Sequence, residues 1–336
     1  MRISRREFLK LAASLGAAAT VNLTFLKKAL AGNGDPRVIW LQGQGCSGCS
    51  VSLLNSVNLT TVDDLLTNTI NLEYHSTLIA AAGDLALTGA TGIHPSTTEL
   101  SAFTSEWLTE GNDYDLNGDG VVNFIDFAKL ADQGYILVVE GSIPTGAEGR
   151  FCHVGGEMTM LEAFDRFSEK ATCIIAIGTC ACYGGIPGAA PDVTGALGVE
   201  SALAHIGRSG TVVNIPGCPT HPDWFVGTVS YILANGAVPE LDTYHRPLLY
   251  FGERIHQNCP YKGNNPPIAN ALGEEGCMEG LGCSGRQTNG DCPIRKWNSG
   301  GAGQNGVNWC IDARTPCHGC TEPDFPDGKT PFYNLT

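Results

Sequence analysis

Cysteine thiols are the side chains in this sequence whose number and spacing indicate a chemical role, such as binding metal or forming disulfides. The chain has 336 residues and fourteen cysteines, which are too many for ordinary packing. Two pairs have the spacing C-x-x-C, Cys46 with Cys49 and Cys317 with Cys320. This is the shortest loop that brings two thiolates to one metal cluster, whereas disulfides place no demand on such close pairs. The spacing therefore favours metal clusters over a disulfide framework.

A first set of four thiols follows predicted strands. Short apolar runs at 37–41, 173–177 and 211–215 each lead into a glycine-containing turn that carries cysteine. In open parallel sheets, ligands collect beyond the carboxyl ends of the strands. A lone C-x-x-C could be a redox pair or half of a zinc site, but four thiols from three strand ends favour one 4Fe–4S cluster. The predicted ligands are Cys46, Cys49, Cys180 and Cys218.

A second set combines an imidazole with three thiols near the carboxy terminus. A three-Cys, one-His set suits tetrahedral zinc as well as it suits an iron–sulfur cluster. Because other groups of cysteines lie nearby in the sequence, we favour an iron–sulfur cluster over zinc. The predicted ligands are His256, Cys259, Cys277 and Cys283.

A third set supplies four thiolates, enough for another 4Fe–4S cluster. Its members are Cys292, Cys310, Cys317 and Cys320. The three sets together give twelve ligands, or three clusters with four ligands each. We interpret the remaining Cys152, Cys173 and Cys182 as buried small apolar residues or free thiols.

The elements that position these ligands follow from the apolar pattern. A further apolar run at 135–139 reads as a buried strand, and helical patterns at 159–170 and 222–235 alternate with the strands. This predicts the α/β class, a flavodoxin-like open parallel sheet with right-handed crossovers over 36–240. Residues 245–336 have few apolar runs, so we expect an irregular iron–sulfur-cluster domain that clusters hold together.

The first 31 residues have the pattern of an export signal. Arg5-Arg6 precedes a modest apolar run, and Ala29-Leu30-Ala31 matches an A-x-A cleavage site. An ordinary buried amphipathic helix is the alternative. The order of charged entry, apolar middle and small-residue exit favours a twin-arginine signal peptide over 1–31, cleaved near Ala31, and hence a periplasmic protein.

The charge of the chain restricts its partners. The formal net charge is −14, and removing residues 1–31 takes away six basic residues and one acidic residue, which leaves about −19. An acidic surface repels phosphate backbones, so we expect no nucleic-acid partner, whereas a basic redox protein would be attracted. No later stretch approaches the ~18 to 20 apolar residues of a membrane span.

A polar insert between about residues 92 and 133 contains a calcium-loop pattern. Counting from Asp115, oxygen ligands fall at positions 1, 3, 5, 9 and 12, with glycine at position 6, as in an EF-hand or one dockerin repeat. The alternative is a polar, turn-rich insert without metal. The predicted Ca²⁺ ligands are Asp115, Asn117, Asp119, Val121, Asn123 and Asp126.

Four motifs then make a family resemblance visible. They occupy residues 39–46, 139–146, 216–224 and 322–328, and the likeness extends over nearly the whole chain after the signal. The sequence resembles small subunits of periplasmic nickel–iron hydrogenases, most of all those of the nickel–iron–selenium branch.

The resemblance implies a function and partners. The first set would hold a proximal 4Fe–4S cluster facing a large subunit with the Ni–Fe(–Se) site, and the set with His256 a distal 4Fe–4S cluster near a docked c-type cytochrome. The third set would be medial. The H2-cleaving residues would lie outside this chain. Alternatives are an electron-transfer subunit of another oxidoreductase, or a calcium-dependent, disulfide-rich periplasmic binding protein.

One departure from the family concerns the medial set. Many members have proline where this chain has Cys310, and their medial cluster is a 3Fe–4S. A fourth thiolate here implies a 4Fe–4S cluster with a lower potential.

Overall fold

The computed structural model describes residues 36–76, 78, 134–154, 158–263 and 267–332. The signal peptide predicted at 1–31 and the calcium loop predicted within 92–133 lie outside the described residues. Within the described ranges, no helix combines the length and apolarity that a membrane crossing requires.

Strands form the centre of the first part of the chain. Their order in the main sheet is β2-β1-β3-β5-β7, and every neighbouring pair is parallel. Numbering only the strands of this sheet gives the flavodoxin-like order 2-1-3-4-5, so the predicted fold class is confirmed. The described strands are β1 (Arg37–Gln42), β2 (Asn71–His75), β3 (Tyr135–Glu140), β4 (Ile143–Pro144), β5 (Ala171–Ile177), β6 (Ala196–Leu197) and β7 (Val212–Ile215).

Helices cover both faces of this sheet. Alternate residues of β1, β3 and β7 belong to two separate apolar clusters, for example Ile39 to one and Trp40 to the other. Because both faces are buried, the strands read as continuous apolar runs rather than alternating ones. The described helices are α1 (Gly48–Leu54), α2 (Val62–Asn68), α3 (Met160–Ser168), α4 (Thr179–Tyr183), α5 (Val199–His205), α6 (Pro222–Asn235), α7 (Leu248–Phe251), α8 (Ile255–Asn258) and α9 (Cys292–Arg295).

The two longest helices begin and end at recognisable signals. Thr159 caps α3 with a capping box, in which its side chain accepts from the Glu162 N–H while Glu162 accepts from the Thr159 N–H. Helix α6 starts with Pro222 at its first position and stops at Gly236, whose φ of 62° is left-handed. Helices α3 and α5 pack on one face of the sheet, and α1, α2, α6 and α7 on the other.

The carboxy-terminal part has little regular structure. After α7 it contains α8, α9 and the short 3₁₀ turns Glu279–Leu281 and Asp327–Lys329. Its apolar cluster is small and includes the thiol-bearing Cys259 and Cys317. The packing of this segment is thus built around cysteine side chains, as its composition predicts.

Candidate functional site

The first predicted set gathers at the carboxyl edge of the main sheet. Cys46 and Cys49 follow β1, Cys180 lies in α4 directly after β5, and Cys218 follows β7. Burial, together with the nearby thiols of Cys218 and Cys46, raises the pKa of Cys180 to about 11. Burial is also the main reason for the raised pKa of Cys49, to which Glu140 and Cys180 contribute. The structure therefore brings all four thiols together.

Gly178 makes room for this arrangement. Its φ of 85° lies in the left-handed region, and an added Cβ would lie 2.5 Å from the Cys49 Sγ. A side chain here would displace that thiol. Cys46 and Cys218 are exposed, so this set opens to the surface on one side.

A buried carboxylate holds the loop that carries Cys49. Glu140, at the end of β3, accepts hydrogen bonds from the N–H groups of Cys49 and Ser50 at 3.0 and 3.1 Å. Its other oxygen accepts from the Trp40 Nε1–H at 3.1 Å and from the Ser50 hydroxyl. These four donors compensate the burial of the Glu140 carboxylate.

Replacing this carboxylate tests its role. Glu140→Gln offers one acceptor oxygen where the donors need two, so at least one buried donor loses its bond, at a cost of about 1–3 kcal/mol. We expect a lower Tm in thermal unfolding of the purified complex. The control is Glu148→Gln, which removes an exposed ion pair with Arg150 and should leave Tm nearly unchanged. Equal Tm values for the two variants would contradict the assigned role.

His75 extends this hydrogen-bonded chain. Its Nδ1 accepts from the Leu78 N–H at 3.3 Å, so its Nε2 carries the proton and donates to the Ser50 hydroxyl at 3.1 Å. Ser50 in turn donates to Glu140. The imidazole is fully buried, and burial lowers its pKa to about 4.

This lowered pKa predicts a pH dependence of stability. Between pH 6.5 and pH 4, His75 binds a proton in the unfolded state, where its pKa is near 6.5, but stays neutral in the folded state. The free energy of unfolding therefore has its full value above about pH 6.5 and decreases towards pH 4. The expected loss at pH 4 is about 3 kcal/mol. Chemical unfolding of the wild type and His75→Gln between pH 4 and 7 checks this. Parallel curves for the two proteins would contradict it.

The second predicted set surrounds one small cavity. His256, Cys259, Cys277 and Cys283 all line it, together with Met278 and Ile311 among others. Burial raises the pKa of Cys259, and the thiols of Cys283 and Cys277 raise it further. The exposed pair of Glu279 and Arg286, joined at 2.7 Å, also borders the cavity, which places this set near the protein surface.

The third predicted set consists of four thiols whose pKa values are raised by burial. Burial raises the pKa of Cys292 well above its ordinary value, and the thiols of Cys320, Cys317 and Cys310 add to the effect. The same causes raise the pKa of Cys317. All four predicted members of this set therefore lie close together.

The three sets form a line. The Cys320 thiol lies beside Cys218 of the first set and accepts a hydrogen bond from the Cys218 N–H. Burial raises the pKa of Cys320 to about 12. At the other end, Cys317 neighbours the thiol of Cys283, and the Ser284 N–H donates to the Cys317 carbonyl at 2.8 Å. The third set thus lies between the first and the second.

Thr179 joins the first and third sets through backbone groups. Its hydroxyl accepts from the Gly217 N–H at 2.9 Å and donates to the Cys320 carbonyl. Its own N–H donates to the Gly217 carbonyl at 3.0 Å. The turns that carry Cys180, Cys218 and Cys320 are therefore fixed relative to one another.

None of the fourteen cysteines, all of which fall in described residues, forms a disulfide. Cys173 and Cys182 are buried and Cys152 is half-buried, which agrees with their interpretation as packing residues or free thiols. In the described ranges no three His, Cys, Asp or Glu side chains are placed to hold one metal ion. A cluster does not need this, because each of its ligands binds a different iron.

The sequence did not indicate the buried guanidinium of Arg246, which lies next to the turn that carries Cys320. Arg246 is 2% exposed, and its guanidinium donates to Asp242 at 2.8 Å and to Glu322 at 3.0 Å. It also donates to the Thr321 carbonyl at 3.1 Å, one residue after Cys320. The motif at 322–328 was a signal for Glu322, whereas nothing near Arg246 in sequence marks it as buried.

Comparison with known proteins agrees with this geometry. A family model described as "NADH ubiquinone oxidoreductase, 20 Kd subunit" matches residues 46–232, and a model for the carboxy-terminal part of the NiFe/NiFeSe hydrogenase small subunit matches residues 251–333. The periplasmic [NiFeSe] hydrogenase small subunit of Desulfomicrobium baculatum is 39% identical, with 99% of each chain covered. The periplasmic [NiFe] hydrogenase small subunit 1 of Nitratidesulfovibrio vulgaris is 36% identical, with 98% of this chain and 93% of that protein covered.

Solved structures give the same result. The reduced, active form of the Ni-Fe-Se hydrogenase from Desulfomicrobium baculatum matches with a TM-score of 0.71 and 40% identity, covering 89% of this chain and 99% of that one. The recombinant [NiFeSe] hydrogenase from Desulfovibrio vulgaris Hildenborough matches with a TM-score of 0.70 and 38% identity, covering 94% and 100%. This chain therefore belongs to the family of NiFe and NiFeSe hydrogenase small subunits.

Proposed function

We propose that this chain is the electron-carrying small subunit of a periplasmic hydrogenase. A large subunit would hold the Ni–Fe(–Se) site, a c-type cytochrome would accept or donate electrons, and three iron–sulfur clusters would connect the two. The observation that carries the proposal is the line of three ligand sets, in which the medial set neighbours both of the others. Electron transfer across a protein requires several redox centres in sequence, whereas a single cluster can only accept and donate electrons at one place.

The residues present fit iron–sulfur clusters. Each set offers four ligands, and each contains thiols whose pKa is raised by burial. Buried thiolates need a positive charge beside them, which cluster iron supplies. Because Gly178 has no Cβ, the Cys49 Sγ can keep its position beside the other thiols, which is a further point of fit. When bound, such clusters supply one-electron oxidation and reduction steps over a wide range of potentials.

The donor sets suggest what each group of residues would do. Cys46, Cys49, Cys180 and Cys218 would hold the proximal 4Fe–4S cluster, and Cys292, Cys310, Cys317 and Cys320 the medial 4Fe–4S cluster. His256 would join Cys259, Cys277 and Cys283 at the distal 4Fe–4S cluster. Imidazole is neutral and donates less charge than thiolate, so His256 favours the reduced state there relative to a fourth cysteine.

The proximal set lies at a surface that the proposed large subunit would cover. Cys46 and Cys218 are exposed, and the apolar side chains of Val51 and Ile186 nearby are 55% and 56% exposed. The Ile186 N–H donates to the Cys180 thiol, which places that residue at the rim of the set. Exposed apolar side chains around a functional site are typical of a protein interface.

The distal set suits an exchange of electrons with a soluble protein, because it borders the surface at Glu279 and Arg286. The formal charge of −14 would attract a basic c-type cytochrome. A periplasmic location and export of the folded protein rest on the signal pattern at 1–31 and on the names of the relatives. The domain limits 36–240 and 245–336 and calcium at 115–126 stay predictions.

The purified complex with its large subunit tests this proposal. We expect the complex to contain nickel, to absorb visible light as iron–sulfur proteins do, and to reduce a c-type cytochrome with H2. A partner without nickel would favour another oxidoreductase. A colourless protein would favour the binding-protein alternative, which the absence of disulfides among the fourteen cysteines already disfavours.

Substituting one medial ligand has a distinct expected outcome. Cys310→Pro removes one thiolate, so the medial site should keep three irons and show the signal of an oxidised 3Fe–4S cluster in EPR. The Cys310 N–H donates to the Sγ of the same residue, so a proline at this position removes no hydrogen bond to another residue. Cys152→Ala, which removes a half-buried free thiol, is the control. An unchanged EPR spectrum of the reduced Cys310→Pro protein would remove Cys310 from the ligand set.

A further inference from the structure

Trp309 carries a buried hydrogen-bond donor with no acceptor. The side chain is 3% exposed, and its Nε1–H finds no hydrogen-bond partner within the part of the chain that the structure describes. Leaving such a donor unsatisfied costs about 1–3 kcal/mol, and buried polar groups are nearly always paired. By contrast, the equally buried Trp40 and Trp224 donate to Glu140 and Asp291. The Trp309 indole therefore lacks an acceptor among the described residues, and a group bound beside it would supply one.

The surroundings of Trp309 contain cysteines of two ligand sets. The ring packs in the carboxy-terminal apolar cluster, which includes Cys259 and Cys317 and is flanked by Cys283 and Cys292. Of these, Cys292 and Cys317 belong to the medial set, as does Cys310, which directly follows Trp309 in the chain. Met278 and Ile311, rather than Trp309, line the cavity of the distal set.

We propose that the Trp309 indole N–H donates a hydrogen bond to a sulfur atom of the medial cluster and thereby raises its reduction potential. This inference rests on the proposed function, since it requires a cluster at the medial set. A donor beside sulfur stabilises the reduced state, which carries one more negative charge, and hydrogen bonds to sulfur are among the factors that set cluster potentials. Trp309 is in this respect a tuning residue for electron transfer and has no part in H2 cleavage.

A potential measurement on one variant tests the inference. Trp309→Phe keeps an aromatic ring and removes the N–H. EPR-monitored redox titration of the complex should then show a lower medial potential and unchanged proximal and distal potentials. We expect the ratio of oxidised to reduced medial cluster at a fixed potential to rise about tenfold, which corresponds to about 59 mV for a one-electron couple.

A matched control separates the hydrogen bond from packing. Trp297 is half-buried against the same apolar cluster, and its indole N–H is not among the buried groups that lack an acceptor. Trp297→Phe should leave the medial potential unchanged. An equal shift in both variants, a shift confined to the distal cluster, or no shift in Trp309→Phe would each overturn the inference.

A second readout covers the case in which Trp309→Phe folds poorly. Replacing Trp309 with benzothienylalanine keeps the shape of the ring and exchanges N–H for sulfur, and it should give the same lower potential. In wild-type complex with ¹⁵N-labelled indole, pulsed EPR at the medial signal should detect a nitrogen coupling that this variant lacks. A medial signal without such a coupling overturns the inference alone, whereas the lack of any medial cluster in the wild type overturns the proposed function.

Discussion

The Gly178→Ala substitution should deprive the complex of the proximal cluster that we propose. Gly178 has a φ of 85°, and a Cβ at this position would lie 2.5 Å from the Cys49 Sγ, well inside van der Waals contact. The thiol must move or the turn between β5 and α4 must open, and either change separates Cys49 from Cys180. We expect about four fewer irons per complex by metal analysis, together with loss of H2-dependent dye reduction.

Gly207→Ala is the matched control for this experiment. Gly207 has a φ of 73°, also left-handed, but a Cβ there would meet nothing within 4 Å. It carries the backbone strain of an L-residue in this region, about 1 kcal/mol, without touching a thiol. Iron content should remain at the wild-type value. Equal iron loss in both variants would show that backbone strain alone is responsible, and full iron content in Gly178→Ala would refute the role given to this glycine.

The Arg246→Met substitution should destabilise the attachment of the carboxy-terminal part. It leaves the buried carboxylate of Glu322 and the half-buried carboxylate of Asp242 without their cation, and breaking a buried ion pair costs about 3–5 kcal/mol. Glu322 also accepts from the Asn289 N–H at 2.6 Å, so the loss spreads to that turn. A large drop in Tm and loss of medial iron are the expected results, by calorimetry and metal analysis.

Arg208→Met provides the comparison. Arg208 pairs with Asp165 at 2.8 Å, but both side chains are partly exposed, and such pairs contribute about 0–1 kcal/mol. Adding Asp242→Asn to Arg246→Met should recover part of the stability because it removes one of the stranded charges. Similar Tm values for the two arginine variants would contradict the assigned importance of Arg246.

Several features of this fold follow directly from the sequence. The runs predicted as strands at 37–41, 135–139, 173–177 and 211–215 all coincide with strands of the main sheet. They are recognisable because both sides of each strand are buried, which makes nearly every residue apolar. The helix predicted at 222–235 has the observed bounds, since Pro222 and Gly236 mark its ends.

Other features depend on tertiary contacts that local sequence does not encode. Strand β2 escaped prediction because Asn71–His75 is an edge strand with few apolar residues, and its Glu73 instead pairs with Arg37 of β1 at 2.9 Å. The loop at Cys49 gives no hint that Glu140, 91 positions later, accepts its N–H. Only the packed structure shows this.

The candidate sites likewise have some features that the sequence predicts and others that only the structure shows. Cysteine spacing suffices to sort the ligands into sets, because close pairs such as Cys317 and Cys320 belong together whatever the fold. Cysteine spacing alone does not give the order of the sets in space, which the family resemblance implied. In the structure Cys320 lies beside Cys218 and Cys317 beside Cys283. Trp309 could have drawn notice as an aromatic residue in a polar, glycine-rich segment, but its unpaired indole N–H could not.

The number of irons and sulfides held by the small subunit tests the central claim most directly. Anaerobically purified complex should contain about twelve irons beyond that of the nickel–iron site, with about as much acid-labile sulfide, as three 4Fe–4S clusters require. Mass spectrometry under the same conditions should find no cysteine linked to another. A complex with iron for only one cluster, or with its thiols joined as disulfides, would contradict the account.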